Sequence, residues 1–294
     1  MTRPLVVGIG EVLWDLLPAG PQFGGAPANV AMHAAALGGR GALVSAVGED
    51  AEGRDALARL AAAGVDQRAL ARRPDRPTGV VRVTLDAAGQ PSYDIATGSA
   101  WDAIPWSDAI AELVARADAV CFGSLAQRGP ESRETVRRAV RQAERATWRL
   151  FDVNLRQRWF DAEVLDASLR LANAVKLNDE ELPVVAHLCE VPGDTPEVQL
   201  AALMTKYDLA LAALTAGPRG AVLLTPAAAV AAPAPATTVA DTIGAGDAFT
   251  AALLVGLLSG ASLSAVATRA NAVAAHVCSQ AGATPPIPQA LRWS

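Results

Sequence analysis

Lysine is nearly missing from this 294-residue chain: it occurs only at positions 176 and 206, and the other cations are arginines scattered along the sequence. With a formal net charge of −5, no basic stripe offers an electrostatic footprint for nucleic acid or an acidic membrane. Cysteine is also sparse. Cys121, Cys189 and Cys278 are odd in number, widely spaced and form no Cys-x-x-Cys pair, so they read as reduced thiols without a zinc site. His33, His187 and His276 lack ligand spacing and read as packing or surface residues. Aromatics amount to six Trp, two Tyr and five Phe, and alanine carries much of the 51% apolar content, which predicts closely packed helices. No apolar run reaches membrane-spanning length; Phe249 to Leu258 stops at Ser259-Gly260. Leu5 to Leu17 is interrupted by Glu11 and Asp15, which argues against a signal peptide. The expectation is a soluble, cytoplasmic protein.

Two common nucleotide motifs are missing as well. Gly8-Ile9-Gly10 imitates the start of a dinucleotide fingerprint, but position 13 is Leu and no helical pattern follows. No Gly-x-x-x-x-Gly-Lys-Ser/Thr loop occurs, so any phosphate cradle is of another kind.

What is present is an alternation of short apolar runs with helical patterns, the sign of a mainly parallel α/β sheet covered by helices. Strands are predicted at Leu5 to Gly10, Ala42 to Val47, Ala119 to Phe122, Arg149 to Val153, Ala174 to Leu177 and Leu209 to Leu214. Helices are predicted at Ala28 to Leu37, Gly53 to Ala63, Pro130 to Ala146, Ala162 to Leu171, Pro196 to Tyr207, Asp247 to Leu258 and Leu263 to Ser279. Ala227 to Ala236 is rich in Ala and Pro and reads as a surface excursion. Two segments break the rhythm: Val12 to Leu17 runs into a turn at Pro18-Ala19-Gly20, and Val80 to Asp86 alternates, turns at Ala87 to Gln90 and resumes at Ser92 to Ala96. Alternation around a short turn is a hairpin signal. No repeat or low-complexity linker divides the chain, so residues 1–294 read as one domain.

The most informative segment is Asp241-Thr242-Ile243-Gly244-Ala245-Gly246-Asp247, which follows a β-like run at Thr237 to Ala240 and opens an apolar helix. Gly244 and Gly246 allow a tight turn and close backbone approach. The first-turn N–H groups and the helix dipole then make an anion site, most naturally for phosphate. Asp247 would be repelled by that phosphate unless it accepts a proton from an attacking hydroxyl. The plain alternative is an acidic helix start, common and mildly stabilising.

Two carboxylates flanking Thr-x-Gly-Ala-Gly resemble the signature of ribokinase-like (PfkB-type) carbohydrate kinases. The resemblance extends to Gly24-Gly25-Ala26-Pro27-Ala28-Asn29-Val30-Ala31 and covers nearly the whole chain; with Glu11 and Asp15 in Gly-Glu-Val-Leu-Trp-Asp it is closest to the fructokinase branch. It implies a three-layer α/β/α core with a small β lid formed by about residues 11–24 and 78–100. The implied activity is ATP-dependent phosphorylation of a primary hydroxyl of a small sugar, with fructose first. Asp247 would be the base, and the N–H groups of Gly244, Ala245 and Gly246 would stabilise the transferring phosphoryl group. Asp15, Gly24, Gly25 and Asn29 fall where the family binds sugar. Asn178-Asp179-Glu180-Glu181 resembles the Asn-x-x-Glu motif that organises magnesium and its waters, with Glu181 acting through water; an acidic helix start is the plain alternative. Thr215, Gly217 and Gly220 resemble the nucleotide loop, and Asn271 aligns near the adenine edge. Asp241 and Ile243 occupy positions where family members hold a potassium ion. Asp152-Val153-Asn154-Leu155-Arg156 resembles a stretch of fructokinases and 2-keto-3-deoxygluconate kinases; Arg156 would meet phosphate or a substrate acid, or serve as a surface ion-pair partner. The resemblance leaves open a homodimer through the lid.

One departure bears on the substrate. Relatives commonly place an Arg near the end of the second lid hairpin, whereas this chain has Tyr93-Asp94-Ile95-Ala96-Thr97-Gly98-Ser99-Ala100. A keto acid would want that cation for its carboxylate, so its absence argues against 2-keto-3-deoxygluconate and removes a usual support for fructose. Ribose, a nucleoside, and a catalytically idle sugar- or nucleotide-binding regulator on the same fold stay as alternatives.

Overall fold

Short, almost wholly apolar strands have no solvent face to offer, so a sheet built from them must be covered on both sides. The computed structural model, which describes residues 3–17, 20–85, 91–143 and 148–293, has that arrangement. In chain order the elements are β1 (Leu5–Ile9), β2 (Leu13–Leu17), β3 (Gly20–Gly24), α1 (Ala26–Ala36), β4 (Arg40–Gly48), α2 (Ala51–Ala62), β5 (Leu70–Arg73), β6 (Gly79–Leu85) and β7 (Pro91–Ile95). The middle of the chain adds α3 (Asp108–Ala115), β8 (Ala119–Phe122), α4 (Pro130–Gln142), β9 (Trp148–Asp152), α5 (Ala162–Leu171), β10 (Ala174–Asn178), α6 (Glu181–Leu188) and α7 (Pro196–Tyr207). The last part holds β11 (Leu211–Thr215), β12 (Ala221–Leu224), β13 (Ala229–Ala232), α8 (Ala245–Leu258) and α9 (Leu263–Cys278).

Among the described residues the main sheet has the order β13-β12-β11-β10-β9-β8-β1-β4-β5, parallel except for the antiparallel β12 and β13 at one edge. Period-2 alternation divides its side chains. Val6, Leu150, Ala174 and Ala213 pack with α1, α8 and α9 on one face. Val7, Phe151, Val175 and Ala212 pack with α3 to α7 on the other. A small second sheet, ordered β3-β2-β6-β7, joins two hairpins through the parallel pair β2–β6. It is built from the two segments that break the sequence rhythm. The predicted turn at 87–90, part of that at 18–20 and the end of the helix predicted to 146 lie outside the described residues.

Two expectations need correction. Ala227 to Ala236 is not merely an excursion, because Ala229–Ala232 forms edge strand β13 against β12. Thr237 to Ala240 is not a strand; the N–H groups of Ala240 and Asp241 both donate to the Cys278 carbonyl, which lays this segment over the end of α9.

The root of the small sheet is fastened by Arg128, which follows β8. Its guanidinium pairs with Asp102 at 2.6 and 3.0 Å and donates to the Ile95 carbonyl at 3.5 Å and the Ala96 carbonyl at 2.5 Å. It also lies 4.1 Å from the Trp101 ring centre and 4.8 Å from that of Trp159. Both charged side chains are buried, at 5% and 9% exposure, so removing one strands the other. Arg128→Met is expected to cost about 3–5 kcal/mol, read as a lowered urea midpoint; a loss below about 1 kcal/mol would assign the pair the small value of a surface bridge.

Candidate active site

Helix α8 begins without a side-chain cap. Its N-cap, Gly244, has φ +77°, and a Cβ there would lie 2.5 Å from the Ala283 carbonyl oxygen. That carbonyl is also held at 2.9 Å by Nε2 of buried His33, whose neutral ring reflects a pKa pushed down to about 4 by burial. Asp241 secures the approach, accepting from the N–H of Ile243 at 3.0 Å and of Gly282 at 3.2 Å. The Ala245 N–H is engaged at 3.3 Å with the Thr242 carbonyl. Gly244 and Gly246 line the adjoining cleft, and the remaining first-turn N–H groups, which a helix leaves without acceptors one turn back, make this helix start suited to an anion.

Asp247 stands in the first turn of α8 and accepts from Nδ2 of Asn29, in α1, at 2.8 Å. Burial, reinforced by the charge of Asp152, raises its pKa to about 7; the Asn29 hydrogen bond, Lys176 and Arg156 oppose the shift. A carboxylate so poised can take a proton near neutral pH. Asp15, on β2, faces the same cleft with Leu13 and Leu17. Burial raises its pKa to about 6, Arg156 opposes this, and Asp241 adds to it. Glu11, 3% exposed, is likewise raised by burial. Its Oε2 and the Oδ1 of Asn29 are buried acceptors without a hydrogen-bond partner among the described groups.

On the other side of the cleft, the first turn of α6 is stapled to two strand ends. Asn178 Oδ1 accepts from the N–H of Glu180 at 2.9 Å and of Glu181 at 2.8 Å, while Glu181 accepts from the N–H of Leu155 and Asn178 at 2.9 Å. A carboxylate has about four acceptor sites, so Glu181 keeps capacity for a water held by a magnesium ion. Among the described residues no cluster of three His, Cys, Asp or Glu could hold a metal alone.

A cleft of about 710 Å³ joins Glu11, Asp15, Gly24, Gly25, Asn29 and Arg156 with Asn178, Glu181, Thr215, Gly217, Ile243, Gly244, Gly246 and Asp247. Four predicted site residues do not line it. Ala245 and Asp241 shape the anion loop from behind, and Gly220 closes the turn after β11 by accepting from the Ala216 N–H. Asn271 does not line it either: α9 buries it against the sheet edge, where its amide donates to the Ala232 carbonyl at 2.7 Å. A larger hollow of about 840 Å³ lies beside Val80, Arg82 and Asp94 of the small sheet and contains none of the predicted site residues.

Sequence reasoning passed over Lys176 as a site residue and gave its partner Asp152 only within the Asp152 to Arg156 stretch; the two meet at 3.0 Å, and Lys176 lines the cleft. The signal was available: Lys176 stands two positions before Asn178, so strand periodicity puts both on one face.

An anion-binding helix start with a carboxylate in it, set on an α/β scaffold with a small accessory sheet, is the equipment of a phosphotransferase. Residues 20–290 match the family of pfkB carbohydrate kinases. The chain is 34% identical to an uncharacterized sugar kinase of Pyrococcus horikoshii over 98% of this chain and 95% of that protein. The crystal structure of that kinase agrees with a TM-score of 0.81 over 96% and 95% of the two chains, and it has also been solved in complex with ATP. A fructokinase of Klebsiella pneumoniae is 32% identical over 85% of this chain and 83% of its own. A fructokinase double mutant of Vibrio cholerae, solved in fructose-, ADP- and potassium-bound form, is 27% identical with a TM-score of 0.82, covering 98% and 97%. The chain belongs to the pfkB family of carbohydrate kinases.

Because the folded pKa of Asp247, about 7, exceeds its ordinary 3.8, the folded state holds this proton more tightly. The group therefore loses stability for the fold as pH rises from about 4 to 7 and carries a constant penalty above that. Asp247→Asn is expected to raise Tm at pH 8 by about 2–4 °C or more, with the gain vanishing near pH 3.5. Equal melting temperatures at pH 8 would contradict the raised pKa.

Proposed function

We propose that this sugar kinase transfers the γ-phosphoryl group of ATP to a primary hydroxyl of a small neutral sugar, with fructose the leading substrate. The observation that carries the reading is the 2.8 Å hydrogen bond between Asn29 and Asp247, which joins the sugar-motif helix to the anion-binding helix. Asp247 takes the hydroxyl proton as the sugar oxygen bonds to the γ-phosphorus. The bond from that phosphorus to the bridging oxygen breaks, and ADP leaves. Backbone N–H groups at Gly244 and Gly246 meet the negative charge on the transferring group, with Ala245 shaping the turn between them. Asn178 and Glu181 would hold the waters of a magnesium ion, which when bound neutralises phosphate charge. Thr215 and Gly217 lie toward the nucleotide, and Asp241 with the Ile243 carbonyl offers oxygen to a potassium ion. The small sheet acts as the lid, whose closure excludes water from the transfer.

The choice of a neutral sugar follows from charge and hydrogen-bond complementarity. Glu11, Asp15 and Asp247 all line this end of the cleft, so a substrate carboxylate would meet three carboxyl groups against the one guanidinium of Arg156. Glu11 Oε2 and Asn29 Oδ1 are acceptors waiting for donors, and a polyol brings hydroxyl donors. The fructokinase names among the relatives support fructose in particular.

A coupled ATP assay over fructose, ribose, 2-keto-3-deoxygluconate and several nucleosides should give fructose the highest kcat/KM. Preference for the keto acid or a nucleoside overturns the substrate assignment, and turnover no higher than background on all of them favours an idle regulator. Asp247→Asn should lower turnover by roughly 10²–10⁴-fold; near-normal turnover would remove it from the mechanism. Asp15→Ala should chiefly raise the sugar KM, since it removes binding shared by substrate and transition state; an unchanged KM would refute that role.

A further inference from the structure

Asp152 and Lys176 are register partners on neighbouring strands β9 and β10. They continue the face on which Leu150 and Ala174 pack against Ala248, Ala251 and Leu253 of α8. An ion pair is out of place in such an apolar layer, yet this one stands at the strand ends, directly below the anion loop. The Lys176 ammonium lies 3.0 Å from Asp152 Oδ1, and Asp152 Oδ2 accepts from the Thr250 hydroxyl at 2.8 Å. Both carboxylate oxygens are thus engaged. The ammonium is not: it carries three N–H donors, its side chain is 7% exposed, and it makes this one hydrogen bond among the described residues. Two buried donors without acceptors are costly unless a ligand takes them.

Gly246 shows where they face. A Cβ at that position would lie 3.1 Å from Lys176 Nζ, so the ammonium rests against the backbone of the loop, and Lys176 is part of the cleft wall. We propose that Lys176 is a catalytic residue whose ammonium passes through the space left by the absent Gly246 side chain and donates hydrogen bonds to the phosphoryl group in transfer. This rests on the phosphoryl-transfer reading above. In that transition state, charge spreads over the equatorial oxygens. A cation already held in place by Asp152 and Thr250 meets it without reorganising. The competing role is purely structural, an ion pair fastening α8 to the sheet.

The two roles separate in a double variant. Lys176→Met alone strands the Asp152 carboxylate and endangers the fold; Asp152→Asn with Lys176→Met removes both charges and leaves a neutral interface. The double variant is expected to melt close to the parent and bind ADP as the parent does. Its ATP affinity should fall about tenfold or more, its kcat should fall by about 10²–10³-fold, and its sugar KM should stay within about twofold. A folded double variant that keeps both kcat and the parent's ratio of ATP to ADP affinity would overturn the proposal. Should the parent itself turn over no sugar, the phosphoryl-transfer reading fails; the calorimetric ATP-to-ADP affinity ratio still decides whether Lys176 meets the terminal phosphate.

Discussion

The whole site depends on how closely α1 can lie against α8. The two helices pack through small and branched residues: Val30 and Ala34 of α1, with Leu37 just after it, share a buried cluster with Ala248, Ala252 and Val255 of α8. Bulky aromatics at those positions would hold the axes apart. Because they are absent, Asn29 and Asp247, 218 residues apart in sequence, meet at 2.8 Å. The scarcity of rings in the composition and the meeting of the two motifs are therefore one fact seen at two levels. Interiors pack at crystal-like density, so this distance is set by the whole interface and not by the pair itself.

Charge imposes the second constraint. Glu11, Asp15, Asp152 and Asp247 lie in or under one cleft, and burial raises the pKa of Glu11, Asp15 and Asp247. Lys176 is the buried counterweight. Burial works against its charge, but Asp152, Glu181 and Asp247 outweigh this and hold its pKa up. Arg156 opposes from the open side, lowering all three raised carboxylates. The balance leaves the Asp247 pKa near neutral pH, which for the proposed base facing a phosphoryl donor is a useful compromise. It is basic enough to take a proton and not so strongly charged as to repel the donor.

Local chemistry was legible in the sequence where short-range rules act. The glycine loop before α8, the period-2 strands and the hairpin segments of the small sheet all carry their own signals. The misses fall where long-range packing decides. Ala229–Ala232 looks like loop composition and becomes a strand only because β12 offers it an edge. Asn271 resembles a site residue by position along α9, but the turn of the helix aims its amide at the Ala232 carbonyl. Lys176 was visible as one of two lysines, yet its meaning depends on Asp152 standing opposite on the next strand, a register that no local pattern announces.

The departure noted in the sequence at Tyr93 to Ala100 acquires a physical meaning from Arg128. No arginine occupies the end of β7, but one arrives there from the segment after β8, taking the carbonyls of Ile95 and Ala96. Its charge is answered by Asp102 and its faces by Trp101 and Trp159, so its work is to hold the strand end. It is not among the residues of the cleft wall. The cation that a substrate acid would seek at this strand end is thereby a structural clamp, and the cleft wall beside the first motif holds Glu11 and Asp15, with Arg156 supplying its guanidinium. The strand end is thus fastened by an arginine outside the cleft wall whose charge reaches the cleft only at a distance, opposing the rise in the Glu11 pKa, so it offers a substrate acid no direct ion pair.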